Sequence, residues 1–431
     1  MKKYELSATY ENIVETLRCD SILRNEELRD FIHIIDRIDG NTNISLDAMW
    51  GNGKTFFVKQ VAVLLDYFRE KQFGQMVDYE MEEIIGHRPA LGKIELVHTY
   101  IPIYYDAWMF DDHSDPILSL IYSIVSGGYI KDDPTIKSNL LQKVATITSA
   151  ITSLRGVSLD IEKLFSARKT CLESISFAEE IKNTLSDIFD QLIVEKADKL
   201  VVIIDELDRC KPDYAVKLLE KIKHFITDDR VIFIFSTNKE QLIHTIKKFY
   251  GQDFNGALYL NRFFDFQFSL SNVDIDRYLH FIDRERNCMN WSQKILSEIG
   301  NYFNFSLRDY NIYYAKLKNI INVDVSCTQT GYLYNVFAPF IWAFSIVDVE
   351  KERKFINGAM ENEIIQLISE IPTLYKYAMN FISEGNDADK KSKIQTLYKH
   401  VFIQQDKSFE TDKLQILSGE SKYFLKVVGR V

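Results

Sequence analysis

The chain has 431 residues, 46% hydrophobic, 26% charged and 13% aromatic, which excludes disorder and fibrous structure and suffices for two or three cores. Only 17 Gly and 7 Pro punctuate it, so helices should dominate. With 52 basic against 62 acidic side chains the net charge is −10, which disfavours nonspecific attraction to nucleic acid or to an anionic membrane.

In chain order, the opening MKKYELSATYENIVETLRCD is basic but lacks the apolar stretch of a signal peptide. Residues 5 to 38 scatter Ile22, Leu23, Leu28, Phe31, Ile32 and Ile35 among charges, which predicts short amphipathic helices. Asn43 to Met49 reads as a strand, WGNGKT follows, and a helical period runs from Phe56 to about Lys71. Leu96 to Ala107 is β-rich and leads into DAWMFDDHSDP, where Trp108 is expected to pack in the core. Ile117 to Val125 resumes a helical pattern, and residues 130 to 195 read as a polar helical insertion.

Leu200 to Ile204 is a continuous apolar run closed by acids, the pattern of a central parallel strand covered on both faces. Pro212 and Asp213 open a helix whose stripe is Ala215, Leu218, Leu219, Ile222 and Phe225. Val231 to Phe235 is a second buried strand, a helix follows near Lys239 to Phe249, and Phe264 to Phe268 is a last short strand. From about Asn272 onward the pattern is mainly helical. The longest apolar run, Val336 to Val347, contains Pro339 and is shorter than the roughly 18 to 20 residues that span a bilayer. Cys19, Cys171, Cys210, Cys288 and Cys327 lie far apart with no CxxC pair, which suggests neither zinc nor a disulfide framework and fits a cytoplasmic location.

Ala48-Met49-Trp50-Gly51-Asn52-Gly53-Lys54-Thr55 follows a strand and opens a helix, the context of a P-loop. Backbone N–H groups from Trp50 to Phe56 would surround phosphate, Lys54 would reach the β- and γ-phosphates, and the Thr55 hydroxyl would ligate Mg2+. The pattern wants Gly at position 48, so the Ala48 methyl is expected to strain the first turn and weaken binding. The stretch Ile203-Ile204-Asp205-Glu206-Leu207-Asp208-Arg209 supplies Asp205 for Mg2+ and Glu206 as general base for water. Ser236, Thr237 and Asn238 close the next strand, where they meet the same water or γ-phosphate or else serve as a turn and helix cap.

Together these motifs resemble the KAP family of P-loop NTPases, a group related to AAA-like and STAND ATPases. The likeness rests on AMWGNGKTFF, YYDAWMFDDHSDPILSL, IIDELDRCKPDYAVKLLEKIKHF and YLNRFFDFQFSL, and spans roughly residues 10 to 320. By that resemblance Asp208 and Arg209 complete the second motif, and Phe305-Ser306-Leu307-Arg308-Asp309 presents Arg308 as a sensor from a helical lid. Arg262 is a weaker arginine-finger candidate, from the same or a neighbouring chain. Many family members carry membrane helices between the nucleotide motifs, and this chain shows none there. Bacterial members are associated with phage exclusion, so the resemblance implies an antiphage role with a protein partner or effector, and homo-oligomers if a finger acts in trans.

Three other stretches invite competing readings. Asp111-Asp112-His113-Ser114-Asp115 lacks ligand spacing for a metal, and Asn238-Lys239-Glu240-Gln241 has Gln where a guanine-reading motif needs Asp. Lys390, Lys391, Lys393, Lys399 and His400 read as a solvated helix face rather than a nucleic-acid site. The expectation is an α/β fold with a mostly parallel central sheet: a P-loop NTPase domain over 1–271 including the insertion, then a helical lid and C-terminal domain over 272–431. Its function is Mg2+-dependent ATP hydrolysis driving a conformational or assembly switch. The alternative is a nucleotide-holding scaffold with negligible turnover, motivated by Ala48.

Overall fold

The computed structural model describes residues 7–113, 115–126, 142, 179, 182–193, 196–271, 273–282, 291–321 and 331–429. The expected insertion over 130–195 lies outside the described residues except for 142, 179 and a helix at 182–193. Ser114, Cys171, Cys288 and Cys327 are also outside them. One compact unit spans Ala8–Asn272 and a second is built on Val273–Val431.

Among the described residues the first unit has five strands: β1 (Thr42–Asp47), β2 (Tyr100–Asp106), β3 (Lys199–Asp205), β4 (Val231–Thr237) and β5 (Phe266–Ser269). They lie in the order β2-β3-β4-β1-β5, and every neighbouring pair is parallel. The unbroken apolar runs of β3 and β4 take the centre because both faces of the sheet are covered, and all seven residues of each strand are buried. Alternation splits their side chains. Val201, Ile203, Ile232 and Ile234 join one core with Phe31 and Phe57, while Val202, Ile204, Phe233 and Phe235 join another with Leu120 and Leu218. The first core holds the helices Asn25–Arg37 and Lys54–Gln72; the second holds Pro116–Ser126 and Pro212–Phe225. Pro102 is tolerated because β2 is an edge strand.

This is an α/β P-loop architecture with helices on both faces of a parallel sheet, followed by a mainly helical region. The helix Gly256–Phe263, capped by Asn255 Oδ1 on the Leu258 N–H at 3.0 Å, was not legible beforehand because eight residues hold barely two turns of pattern.

In the second unit the run Val336 to Val347 becomes the helix Ala338–Val347 with Pro339 in its first turn, where a missing N–H does no harm. Phe340, Trp342 and Phe344 are buried, so the run is core. Among the described residues no helix is long and apolar enough to cross a membrane. The helical expectation also missed a small antiparallel pair, Phe409–Glu410 with Gln415–Ile416, whose strands are too short to leave an alternating pattern.

Candidate functional site

β1 ends at Asp47, and the chain turns through residues 48–53 before the helix Lys54–Gln72 begins. Gly51 and Gly53 stand at φ 80° and 81°, left-handed backbone that glycine adopts at least cost. Gly53 is the helix N-cap and brings no side chain to the helix start, so the first-turn N–H groups and the helix dipole are available to an anion. Lys54 is 9% exposed, and its Nζ donates to the carbonyl oxygens of Ala48 at 2.6 Å and Met49 at 3.3 Å. Burial pulls its pKa down, while Asp208, Asp205, Glu206 and Asp47 act in the opposite sense. At Ala48 the backbone angle itself brings no strain. Ala48 is not one of the non-glycine residues at positive φ, so its backbone is one that any L-residue adopts.

β3 delivers Asp205, which is 1% exposed. The Tyr104 hydroxyl donates to its Oδ2 at 2.9 Å and the Glu206 N–H to its Oδ1 at 3.0 Å, leaving each oxygen a second lone pair. Glu206 turns the chain at φ 60° and ψ 23°, a conformation that costs a non-glycine residue about 1–3 kcal/mol and recurs at functional sites. Its carboxyl is pushed up to about 7, first by burial and then by Asp205. Arg209 opposes the shift, its Nε 2.5 Å from Glu206 Oε2, as does Lys54; burial prevails, so the group exchanges its proton near neutrality. Asp208 is buried, which raises its pKa, and accepts from the Trp50 indole N–H and the Asn238 backbone N–H.

β4 lies between β1 and β3, which separates the loop from the acids by two strand spacings, ~10 Å. Register sets Ser236 beside Asp205 and Thr237 beside Asp47. Ser236 Oγ, Thr237 Oγ1 and Asp208 Oδ1 are buried without a hydrogen-bond partner. Unpaired polar atoms beside a lysine and an anion cradle fit a phosphate with its water and a divalent cation. Among the described residues no group of three or more His, Cys, Asp and Glu could hold a metal ion. Thr55 lies half-buried in the first helical turn. Trp50, Asn52 and Phe56 complete the loop and the first helical turn, with Trp50 43% exposed.

Several expected residues are used differently. Trp108 was expected in the core, but it is 51% exposed because it follows the end of an edge strand; the Arg209 guanidinium lies 5.5 Å from its ring and 5.9 Å from that of Trp50. Asp115 caps the helix Pro116–Ser126, accepting from Ile117 N at 3.0 Å, and pairs with Lys221, while Asp112 pairs with Lys211. Asn238 Oδ1 caps the helix Lys239–Tyr250 through the Gln241 N–H at 3.2 Å. Lys239 Nζ is held by Gln267 Oε1 at 2.8 Å and Asn261 Oδ1 at 3.2 Å, so Asn238-Lys239-Glu240-Gln241 is a helix start rather than a guanine reader. In the basic cluster, Lys399 pairs with Glu361 at 2.7 Å, Lys393 with Asp412 at 3.7 Å, and His400 is buried.

Arg262 is not brought to the loop. The adjacent Phe263 carbonyl accepts from Asn43 Nδ2 at the start of β1, ~13 Å of strand away from Asp47. Its own surroundings are an open cavity of about 400 Å3 shared with Lys223, His224 and Tyr259. Arg308 is exposed in the first turn of the helix Leu307–Ile321, in the second unit. That helix starts with a reciprocal cap: Ser306 Oγ donates to Asp309 Oδ2 at 2.7 Å and accepts from the Asp309 N–H at 3.3 Å. The S-x-x-D spacing announces this cap in the sequence, whereas nothing local announces Tyr104 or the Trp50–Asp208 bond.

No curated protein matches the chain significantly. A solved structure of the Aeropyrum pernix ORC2 protein (ADPNP-ADP complexes) is similar at 10% identity, covering 94% of this chain and 92% of that one, with a TM-score of 0.32. Residues 24–357 match the KAP family P-loop domain. That match takes in the loop, the β3 acids and Arg308, and it makes this a nucleotide-binding type of domain: the chain belongs to the KAP family of P-loop NTPases.

Proposed function

We propose that the chain is a Mg2+-dependent ATPase whose turnover works a conformational or assembly switch. The observation that carries this is Glu206, a strained, largely buried carboxyl that titrates at about 7, one residue beyond Asp205 and across β4 from the loop of Lys54. A carboxylate of that pKa is a competent general base at neutral pH. Lys54 and the N–H groups of residues 50–56 hold the phosphates, and Asn238, fixed by its own helix cap, is the remaining polar group for the water or γ-phosphate. Thr55 and Asp205 would hold Mg2+, which neutralises phosphate charge when bound. ATP is favoured over GTP because Asn238 and Lys239 are engaged in a helix cap and a polar cluster.

The switch reading is supported by the division into two units, with Arg308 on the second as the sensor. Arg262, at the far end of its own sheet, suits a finger offered to a neighbouring copy. Following the resemblance, the switch would act in cytoplasmic bacterial antiphage defence through a partner effector. The test is phosphate release by wild type, Glu206→Gln and Lys54→Ala, with mass measured with and without ATP. Equal release by wild type and Glu206→Gln ends the ATPase reading, and an ATP-independent mass ends the assembly one. The scaffold alternative is tested at Ala48, where Ala48→Gly should change binding of a fluorescent ATP analogue less than about threefold, since no left-handed backbone is relieved.

A further inference from the structure

The turn before the helix Asn25–Arg37 is built with unusual definition. Asp20 and Leu23 both stand at positive φ, 47° and 57°, although neither is glycine. Asp20 Oδ1 accepts from the Asn25 N–H at 3.2 Å, and Asn25 Nδ2 donates to the Leu17 carbonyl at 3.0 Å. The residue so placed is Arg24, 3% exposed. An isolated buried guanidinium is costly, and an apolar side chain would pack there more cheaply, so its polar contacts need an explanation.

Those contacts reach two places remote in sequence. Arg24 Nη1 donates to the Asn52 carbonyl in the phosphate loop at 2.8 Å, and Nη2 donates to the Ser271 carbonyl at 3.2 Å. Its Nε lies 3.4 Å from Glu27 Oε2. Glu27 in turn accepts from the Ser271 N–H at 2.7 Å and hydroxyl at 3.2 Å. Ser271 follows β5 and precedes the boundary of the first unit at Asn272. In a trans peptide the carbonyl and the next N–H point in opposite directions, so a guanidinium that fixes the Asn52 oxygen also fixes the Gly53 N–H. A planar fork can hold two carbonyls at once, which a lysine ammonium does poorly.

We propose that Arg24 is a positioning residue for the nucleoside triphosphate: it orients the Asn52–Gly53 peptide so that the Gly53 N–H faces phosphate, and with Glu27 it couples that peptide to Ser271 at the exit of the first unit. The proposal rests on a nucleotide occupying the loop. Held in this way, the loop is ordered before binding, and any shift of the peptide on binding is felt at residue 271.

The test uses the full chain and a fluorescent ATP analogue with Mg2+, together with peptide-level hydrogen exchange and the unfolding midpoint. Arg24→Gln should weaken analogue binding about tenfold or more and speed exchange over residues 49–56, with Arg24→Lys recovering part of both. A folded Arg24→Gln that binds within twofold of wild type, with unchanged exchange at 49–56, overturns the assignment, whereas wild type that binds no analogue overturns the nucleotide reading beneath it. If Arg24→Gln does not fold, Arg24→Lys carries the binding and 49–56 exchange test, wild-type values of both in a folded Arg24→Lys overturning the assignment, and Glu27→Gln tests the coupling. It should bind within about threefold of wild type yet lose the ATP-dependent slowing of exchange over 268–271. Equal slowing in the variant, or none in wild type, overturns the coupling.

Discussion

Two acidic runs follow strand ends on the same sheet and share almost nothing else. Asp205 ends β3, a central strand, Glu206 and Asp208 follow it, and all three are largely taken out of water. Asp111, Asp112 and Asp115 follow β2, an edge strand, and are committed to neighbours: Asp111 Oδ2 accepts from the Lys211 N–H at 3.2 Å, Asp112 pairs with Lys211, and Asp115 caps a helix. The first run keeps unpaired lone pairs beside Lys54 and a carboxyl titrating at about 7. Acidic density is therefore no guide to chemistry, and neither is burial alone, since Asp115 is as buried as Asp208; uncommitted oxygen atoms and a raised carboxyl set the first run apart.

The sharpest way to break this comparison is to neutralise one carboxylate in each run. Glu206→Gln should lower phosphate release about 10²- to 10⁴-fold, the contribution expected of a general base, and Asp112→Asn should leave it within about twofold. Similar losses in a steady-state assay would show that position on the sheet, not environment, sets the role.

The next effect is on pH. Because Glu206 is raised to about 7, release should climb about tenfold per unit below pH 7 and level off above it. A profile flat between pH 5.5 and 8 removes Glu206 from the base role. The same shift acts on stability with a definite sign. The folded chain holds a proton that the unfolded chain releases near the ordinary value of 4.5, so the contribution is full below about 4.5 and is lost as pH rises through about 7. Glu206→Gln should accordingly raise the unfolding midpoint relative to wild type at pH 8, and hardly at pH 4; the opposite order would contradict a raised carboxyl.

Smaller effects test the partners of each run. Trp50→Phe removes the indole donor from buried Asp208 and should destabilise the fold by about 1–3 kcal/mol in a urea titration, since an acceptor is left unsatisfied. Asp115→Ala removes a helix cap and should cost about 0.5–2 kcal/mol while turnover per folded molecule is unchanged. Lost turnover there would join the two runs functionally. Asp112→Asn, on an exposed loop, should leave the unfolding midpoint where it was.

The loop and the β3 acids were legible because their signals are contiguous: a strand, two glycines, Lys54-Thr55 and a helical period lie within one stretch of chain. The central strands were legible for the same reason, since an unbroken apolar run needs cover on both faces. Trp108 was misread because an aromatic residue after an apolar run looks like core until the strand is known to be at the edge. At Ala48 the pattern records which residue is usual, and only the structure shows that the turn requires no left-handed backbone there. Arg24 was invisible, because its partners Asn52 and Ser271 lie far along the chain and no local period refers to them.

By itself, the sequence determined the order of the core strands, the phosphate loop and the residue types that could move a proton or hold a cation. Those properties depend on side-chain chemistry over a few neighbouring residues. The tertiary structure decided that β4 separates the loop from the acids, that Arg209 and Asp205 compete over the Glu206 carboxyl, and that Arg262 stands at the far end of its own sheet. Each of these turns on burial and on distances between segments remote in sequence, quantities that exist only once the chain is packed.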